Sequence, residues 1–119
     1  MSSIKLWIDD VREAPDGYIW AKSTREALRK IVLEYPDNIE IIDLDHDAGD
    51  FVKDGGDFIN VLTELERLSH KTTVVNGVKF HNCWHLRCQK ITFRLHTMNP
   101  VGRENMRRII ERNGWKEVV

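Results

Sequence analysis

Three short stretches of this sequence concentrate side chains able to do chemistry. Asp9-Asp10 follows Leu6-Trp7-Ile8, Asp45-His46-Asp47 follows Ile41-Ile42-Asp43-Leu44, and His96-Thr97 follows Ile91-Thr92-Phe93-Arg94-Leu95. Each apolar run reads as a buried strand, so each polar cluster falls at a strand end. Carboxylates gathered in one pocket repel one another and favour a cation. Hard oxygen ligands at a sheet edge suit Mg²⁺ or Mn²⁺. Asp43 lies two residues before Asp45 on the same run, and is expected deeper in the sheet.

The stretch His96-Thr97-Met98-Asn99-Pro100-Val101-Gly102 leads into a helix. Asn99 reads as its N-cap, with Pro100 at the first helical position. First-turn N–H groups have no intrahelical partner and favour anions. Gly102 would let a phosphate approach the backbone, and Arg103 is close enough to contact it. Arg107, Arg108 and Arg112 read as a solvated face. An imidazole beside such a turn can work as a general acid or base near neutral pH. His96 is therefore a candidate catalytic or substrate-binding residue.

His81, Cys83, His85 and Cys88 offer four zinc-type ligands within eight residues, but without a Cys-x-x-Cys knuckle. The competing readings are a strand or loop with alternating side chains, and a lid whose Phe80 and Trp84 stack on a base. Phosphate-loop, dinucleotide-fingerprint and nucleophile-elbow motifs are missing from the sequence.

The positioning elements follow from periodicity and punctuation. Strands are expected at 5–8, 18–21, 39–44, 91–95 and 115–119. Ser23-Thr24-Arg25-Glu26 fits a capping box, and a helix with Ala27, Leu28, Ile31, Val32 and Tyr35 on one face should run to Pro36. A second helix follows Asp54-Gly55-Gly56-Asp57, with Phe58, Val61, Leu62, Leu65 and Leu68 inward. Asn76-Gly77 between β-formers marks a hairpin at 73–80. The last helix carries Met106, Ile109 and Ile110 inward and ends at Asn113-Gly114. Strands alternating with helices imply an open parallel α/β sheet. Ligands bind such sheets outside the C-terminal strand ends, where the polar clusters fall.

The chain has 119 residues, 41% hydrophobic and 31% charged, which is ordinary globular composition and room for one domain over 1–119. Its net charge of −1 hides a split: residues 1–60 carry 14 acidic against 7 basic side chains, and residues 61–119 carry 5 against 11. Either surface charge varies by chance, or the first half builds a carboxylate cluster and the second supplies groups for an anion. Apolar runs are too short for a membrane span, and Asp9-Asp10 interrupts the start before a signal-peptide core could form. A cytoplasmic location is expected, without a membrane partner. Two cysteines make no disulfide framework.

The whole pattern resembles a response-regulator receiver domain, and more closely its divergent branch, the cyclic-phosphate processing receiver-like family. The residues that carry the resemblance are Leu6-Trp7-Ile8-Asp9-Asp10-Val11-Arg12, Leu44-Asp45-His46-Asp47 and His96-Thr97-Met98-Asn99-Pro100-Val101-Gly102. The resemblance implies a receiver/flavodoxin-like five-stranded sheet, order 2-1-3-4-5, with reduced helices. The segment at about 71–90, hairpin included, is an insertion without a counterpart in the pattern. Also implied is a metal-dependent phosphoesterase-like activity on cyclic phosphates, such as 2′,3′-cyclic phosphate RNA ends or cyclic nucleotides. Asp9, Asp10, Asp45 and Asp47 would then hold Mg²⁺ or Mn²⁺. Asp45 would occupy the phosphoacceptor position of true receivers. His96 and His46 would be the catalytic histidines, and Arg12, Thr97, Asn99, Gly102 and Arg103 would contact phosphate. The alternative is a non-catalytic module, either a receiver phosphorylated on Asp45 or a binder of nucleotides or RNA ends. True receivers carry a Lys at the end of the fifth strand, whereas Lys116 sits at the opposite end of its strand.

Overall fold

A computed structural model describes residues 3–81 and 83–118, with the side chains of Thr73, Phe80 and His81 outside the described set. Val119, expected to close the last strand, also lies outside it. The elements in chain order are β1 (Ile4–Ile8), β2 (Tyr18–Ala21), α1 (Thr24–Arg29) with a π-helical continuation (Lys30–Glu34), and β3 (Ile39–Leu44). Then come a 3₁₀ turn (Gly49–Phe51), α2 (Ile59–Ser69), β4 (Thr72–Val75), β5 (Val78–His81) and α3 (Trp84–Lys90). The chain finishes with β6 (Thr92–Leu95), α4 (Pro100–Arg112) and β7 (Lys116–Val118).

The sheet runs β2-β1-β3-β6-β7, all parallel, while β4 and β5 form a separate antiparallel hairpin. With the hairpin strands set aside this is the 2-1-3-4-5 order of a receiver/flavodoxin-like fold. The local signals act as expected. Ser23 Oγ accepts the Glu26 N–H at 3.0 Å, and Asn99 Oδ1 accepts the Gly102 N–H at 2.9 Å. Asn76 and Gly77 both take positive φ at the hairpin tip, as its turn type requires.

One sheet face is apolar. Leu6, Ile8, Ile42, Leu44 and Phe93 are fully buried on it. They pack with Ala27 and Ile31 of the first helical segment, Val61, Leu62 and Leu65 of α2, and Met106 and Ile110 of α4. Burying such side chains contributes roughly 1.5–3 kcal/mol each, so this layer sets the fold. α1, α2 and α4 touch in succession, and α3 packs on α2, so the helices form one layer.

Handedness explains the single layer. Right-handed connections running in opposite directions across a parallel sheet lie on opposite faces. The connections β2→β3, β3→β6 and β6→β7 run one way and carry the helices. Only β1→β2 runs the other way, and residues 9–17 form no helix there. No described helix therefore covers the second face, whose two rows follow from the register. One row is Tyr18–Lys5–Ile41–Thr92–Lys116 and the next, nearer the polar edge, is Trp20–Trp7–Asp43–Arg94–Val118.

The 84–90 segment differs from the strand or loop expected of it. It is helical, because Trp84 and Cys88, four residues apart, both reach the core. The insertion is rooted at the N-terminal edge of the sheet. Arg87 pairs with Asp37 just before β3, at 2.9 Å, and α3 runs directly into the start of β6. This edge is opposite the polar clusters, so the segment is not a lid over them. Trp84 is only 7% exposed and is not available to stack on a base. Phe80, the other ring of that reading, lies outside the described side chains.

Candidate functional site

The C-terminal ends of β1, β3 and β6 bring the acidic clusters together. Strand alternation sends Trp7, Asp9, Asp43 and Asp45 to one side of the sheet. Asp9, Asp10 and Asp45 each offer a carboxylate oxygen within 4.8 Å of the others. The Asp45 N–H is fixed by the Ile8 carbonyl at 2.9 Å, which ties the ends of β1 and β3 together. Gly49, at φ +53°, leaves room for Asp10: a Cβ there would overlap Asp10 Oδ2.

The three carboxylates are not equivalent. Asp9 is fully buried. Its Oδ1 accepts the N–H groups of Val11 at 3.0 Å and Arg12 at 2.9 Å, and its Oδ2 faces His96 Nε2 at 2.9 Å. Burial pushes the Asp9 carboxyl up, but these three donors outweigh it and hold it below the usual carboxylate range. Asp10 behaves oppositely. Burial first, then the charges of Asp9 and Asp45, holds its carboxyl above that range. Such mutual repulsion is what a cation relieves. The hard oxygen donor set fits Mg²⁺ or Mn²⁺.

His96 is clamped. Its Nδ1 lies 2.6 Å from Asp43 Oδ1 and its Nε2 bonds Asp9, while Trp7 stacks on the ring at 3.8 Å with planes 5° apart. Asp43 is 1% exposed, with Arg94 at 3.9 Å from its other oxygen. Neither imidazole nitrogen is free, so His96 as placed offers no proton to a leaving group. Its evident work is to hold two buried carboxylates in register. Trp7 and Asp43 belong to this site and were not singled out as functional residues from the sequence. The available signal was their i, i+2 spacing to Asp9 and Asp45.

His46 stands differently. Its Nδ1 pairs with Asp47 Oδ1 at 2.8 Å, and its ring lies on the first turn of α4. A Cβ on Gly102 would come within 2.5 Å of His46 Cδ2. The room at Gly102, expected for a phosphate, is thus taken by His46. Asp47 groups with His46 and Asp57 instead of with Asp9, Asp10 and Asp45.

The expected phosphate contacts are mostly engaged in holding loops. Thr97 Oγ1 accepts the Asn99 N–H at 3.0 Å, and Asn99 caps α4. Arg103 donates to the Thr97 carbonyl, with its Nε buried and unpartnered. Arg12 is exposed beside the pocket, its Nη1 at 3.4 Å from the His96 carbonyl. Trp20 Nε1 donates to the Asp9 carbonyl at 2.8 Å, and Trp7 Nε1 to that of Arg12 at 2.9 Å, which folds the 9–17 loop onto the sheet.

The Cys/His cluster is dispersed by α3. Cys88 is buried against Ser69 Oγ at 3.5 Å, and burial pushes its thiol up. Cys83 and His85 are exposed, and His81 lies outside the described side chains. Among the described residues, Cys83, His85 and Cys88 do not converge on one point.

This strand order, with paired carboxylates after β1 and an aspartate after β3, defines a receiver-like α/β domain. Lys116 opens β7 opposite Thr92, at the far edge from the carboxylates, so the lysine of a signalling receiver has no counterpart there. The chain belongs to the cyclic-phosphate processing receiver domain family, whose family model matches residues 4–112. No curated protein and no solved structure matches the chain. The family is associated with cyclic-phosphate processing, which brings a phosphate-containing substrate with it. No described helix is long and apolar enough to cross a membrane.

Proposed function

We propose that this domain opens or hydrolyses a cyclic phosphate, such as a 2′,3′-cyclic phosphate RNA end or a cyclic nucleotide, at the strand-end pocket. The observation that carries the reading is the convergence of Asp9, Asp10 and Asp45 within 4.8 Å at the edge where this fold binds ligands. Asp10 and Asp45 would hold the divalent cation, with Asp9 completing the set. Mg²⁺ or Mn²⁺ bound there would polarise a phosphoryl oxygen and lower the pKa of water.

The chain's own residues do the rest. Asp47 accepts from His46 Nδ1 and so sets the tautomer. His46 Nε2 then exchanges a proton with the reacting oxygens. Arg12, exposed at the rim, neutralises a phosphate oxygen. His96 is a positioning residue that holds the buried carboxylates of Asp9 and Asp43 in place.

The test is release of a linear monophosphate from a 2′,3′-cyclic nucleotide with Mg²⁺ or Mn²⁺ present. His46→Gln should lower kcat about 10²–10⁴-fold, more than it raises KM. Asp45→Asn should abolish turnover and also the stabilisation that the metal alone gives, about 2.7 kcal/mol at a hundredfold excess over Kd and read as a rise in Tm. An Asp45→Asn protein that responds to metal as the parent does would place the cation elsewhere.

A further inference from the structure

The helix-free sheet face is not an ordinary solvated surface. Its exposed side carries three large rings, Trp7, Tyr18 and Trp20, all half-buried and none in the hydrophobic core. Cations lie among them. Lys5 Nζ stands 5.9 Å from the Tyr18 ring centre and Lys22 Nζ 4.5 Å from that of Trp20. Arg94 and Lys116 are exposed on the strands beyond. The acidic side chain within the two rows, Asp43, is buried and paired with His96. The face is also continuous with the carboxylate pocket, because Trp7 stacks on His96, and His96 bonds Asp9.

A partner for this surface needs negative charge at intervals and flat π-faces between. A second copy of the chain fits poorly, since it would set Lys5, Arg94 and Lys116 against their own kind. Single-stranded nucleic acid fits both requirements. Bases stack on aromatic side chains exposed by a sheet, while basic residues track the phosphates.

We propose that this face is a track for single-stranded RNA. Bases stack on Tyr18 and Trp20, Lys5, Lys22, Arg94 and Lys116 pair with phosphates, and the 3′ end of the strand enters the carboxylate pocket. The entry of the end rests on the proposed function. The track itself does not, and the experiment separates the two.

The probe is a 5′-labelled eight-nucleotide RNA, its binding followed by fluorescence anisotropy in EDTA across a salt series. The strand should bind at least tenfold tighter than a nucleoside 2′,3′-cyclic monophosphate, measured by competition. Tyr18→Ala should weaken strand binding about tenfold. The pair Lys5→Gln with Lys116→Gln, which keeps every ring, should reduce the salt slope by about 1.4, or 0.7 per phosphate contact. All three residues lie in the row away from the pocket, so turnover of the cyclic mononucleotide should be unchanged in these variants. Strand binding without turnover would leave the track standing and remove the proposed function. The track is overturned if the strand binds no tighter than the mononucleotide, or if the lysine pair leaves the slope unchanged. It is equally overturned if duplex RNA binds as well as a single strand, or if sedimentation shows a dimer that Tyr18→Ala dissociates.

Discussion

Replacing His96 by Gln should unfold much of what the site depends on, not merely remove a proton carrier. In the folded protein the ring makes two short bonds, 2.6 Å to Asp43 and 2.9 Å to Asp9, and both carboxylates are out of solvent. A glutamine presents its N–H groups from a single nitrogen, so it cannot reach both acceptors that the two ring nitrogens faced on opposite sides. Asp43 is left with Arg94 at 3.9 Å, and Asp9 with two backbone N–H groups. Leaving a buried acceptor without its donor costs about 1–3 kcal/mol, and more where the acceptor is charged. Losing the ring beneath Trp7 adds roughly 0.5–1.5 kcal/mol more. A loss of about 4 kcal/mol is expected, or near 16 °C in Tm at roughly 4 °C per kcal/mol.

The deficit should also depend on pH. The Asp9 carboxyl is lower in the folded protein than in the unfolded chain, in part through His96. That contribution is complete above the unfolded value, near pH 4, and is lost as pH falls through the folded value. The gap between parent and variant is therefore at full size above about pH 4 and narrows as pH falls below it. Urea unfolding in EDTA, followed by circular dichroism between about pH 2.5 and 7, reads both quantities. Adding Asp43→Asn closes a double-mutant cycle, with a coupling of about 1–3 kcal/mol expected. A His96→Gln protein within about 1 kcal/mol of the parent, or a gap that does not change with pH, would refute the clamp.

Asp10→Asn should stabilise the metal-free protein by on the order of 1 kcal/mol, because it removes a carboxylate that burial and two like charges hold toward its neutral form; thermal melts in EDTA check the sign. The gain should shrink as pH falls through the raised folded value of Asp10 and be gone below about pH 4, where the carboxyl is neutral in the folded and unfolded parent alike. Gly102→Ala should displace the His46 ring, whose Cδ2 would lie 2.5 Å from the new Cβ, and lower kcat as His46→Gln does while far-UV dichroism stays native. Cys83 should react with a maleimide in the native state, and Cys88 only on unfolding; mass spectrometry after timed labelling distinguishes them.

Much of the scaffold was legible because it rests on local rules. The Ser23 and Asn99 caps, the Asn76-Gly77 hairpin and the inward stripe of Val61, Leu62 and Leu65 are short-range signals, and each holds in the fold. The order of strands and helices, read with the handedness of crossovers, then places Asp9, Asp10 and Asp45 at one sheet edge. The 84–90 helix escaped because its apolar contacts, Trp84 and Cys88, are few and surrounded by residues that also read as zinc ligands.

What each site residue does was decided by tertiary contacts. Asp9 and Asp10 are neighbours in sequence, yet one carboxyl lies below the usual range and the other above it, because backbone donors and His96 reach only Asp9. His96 and His46 look alike at their strand ends, but two carboxylates occupy both nitrogens of one, while the other rests on Gly102 with Nε2 outside its pairing to Asp47. The sequence carries the residue types and the side of the strand each occupies, since alternation is a property of the backbone. Donor geometry and burial depend on strands 35 to 87 residues apart meeting in register, and these set charge state and reactivity.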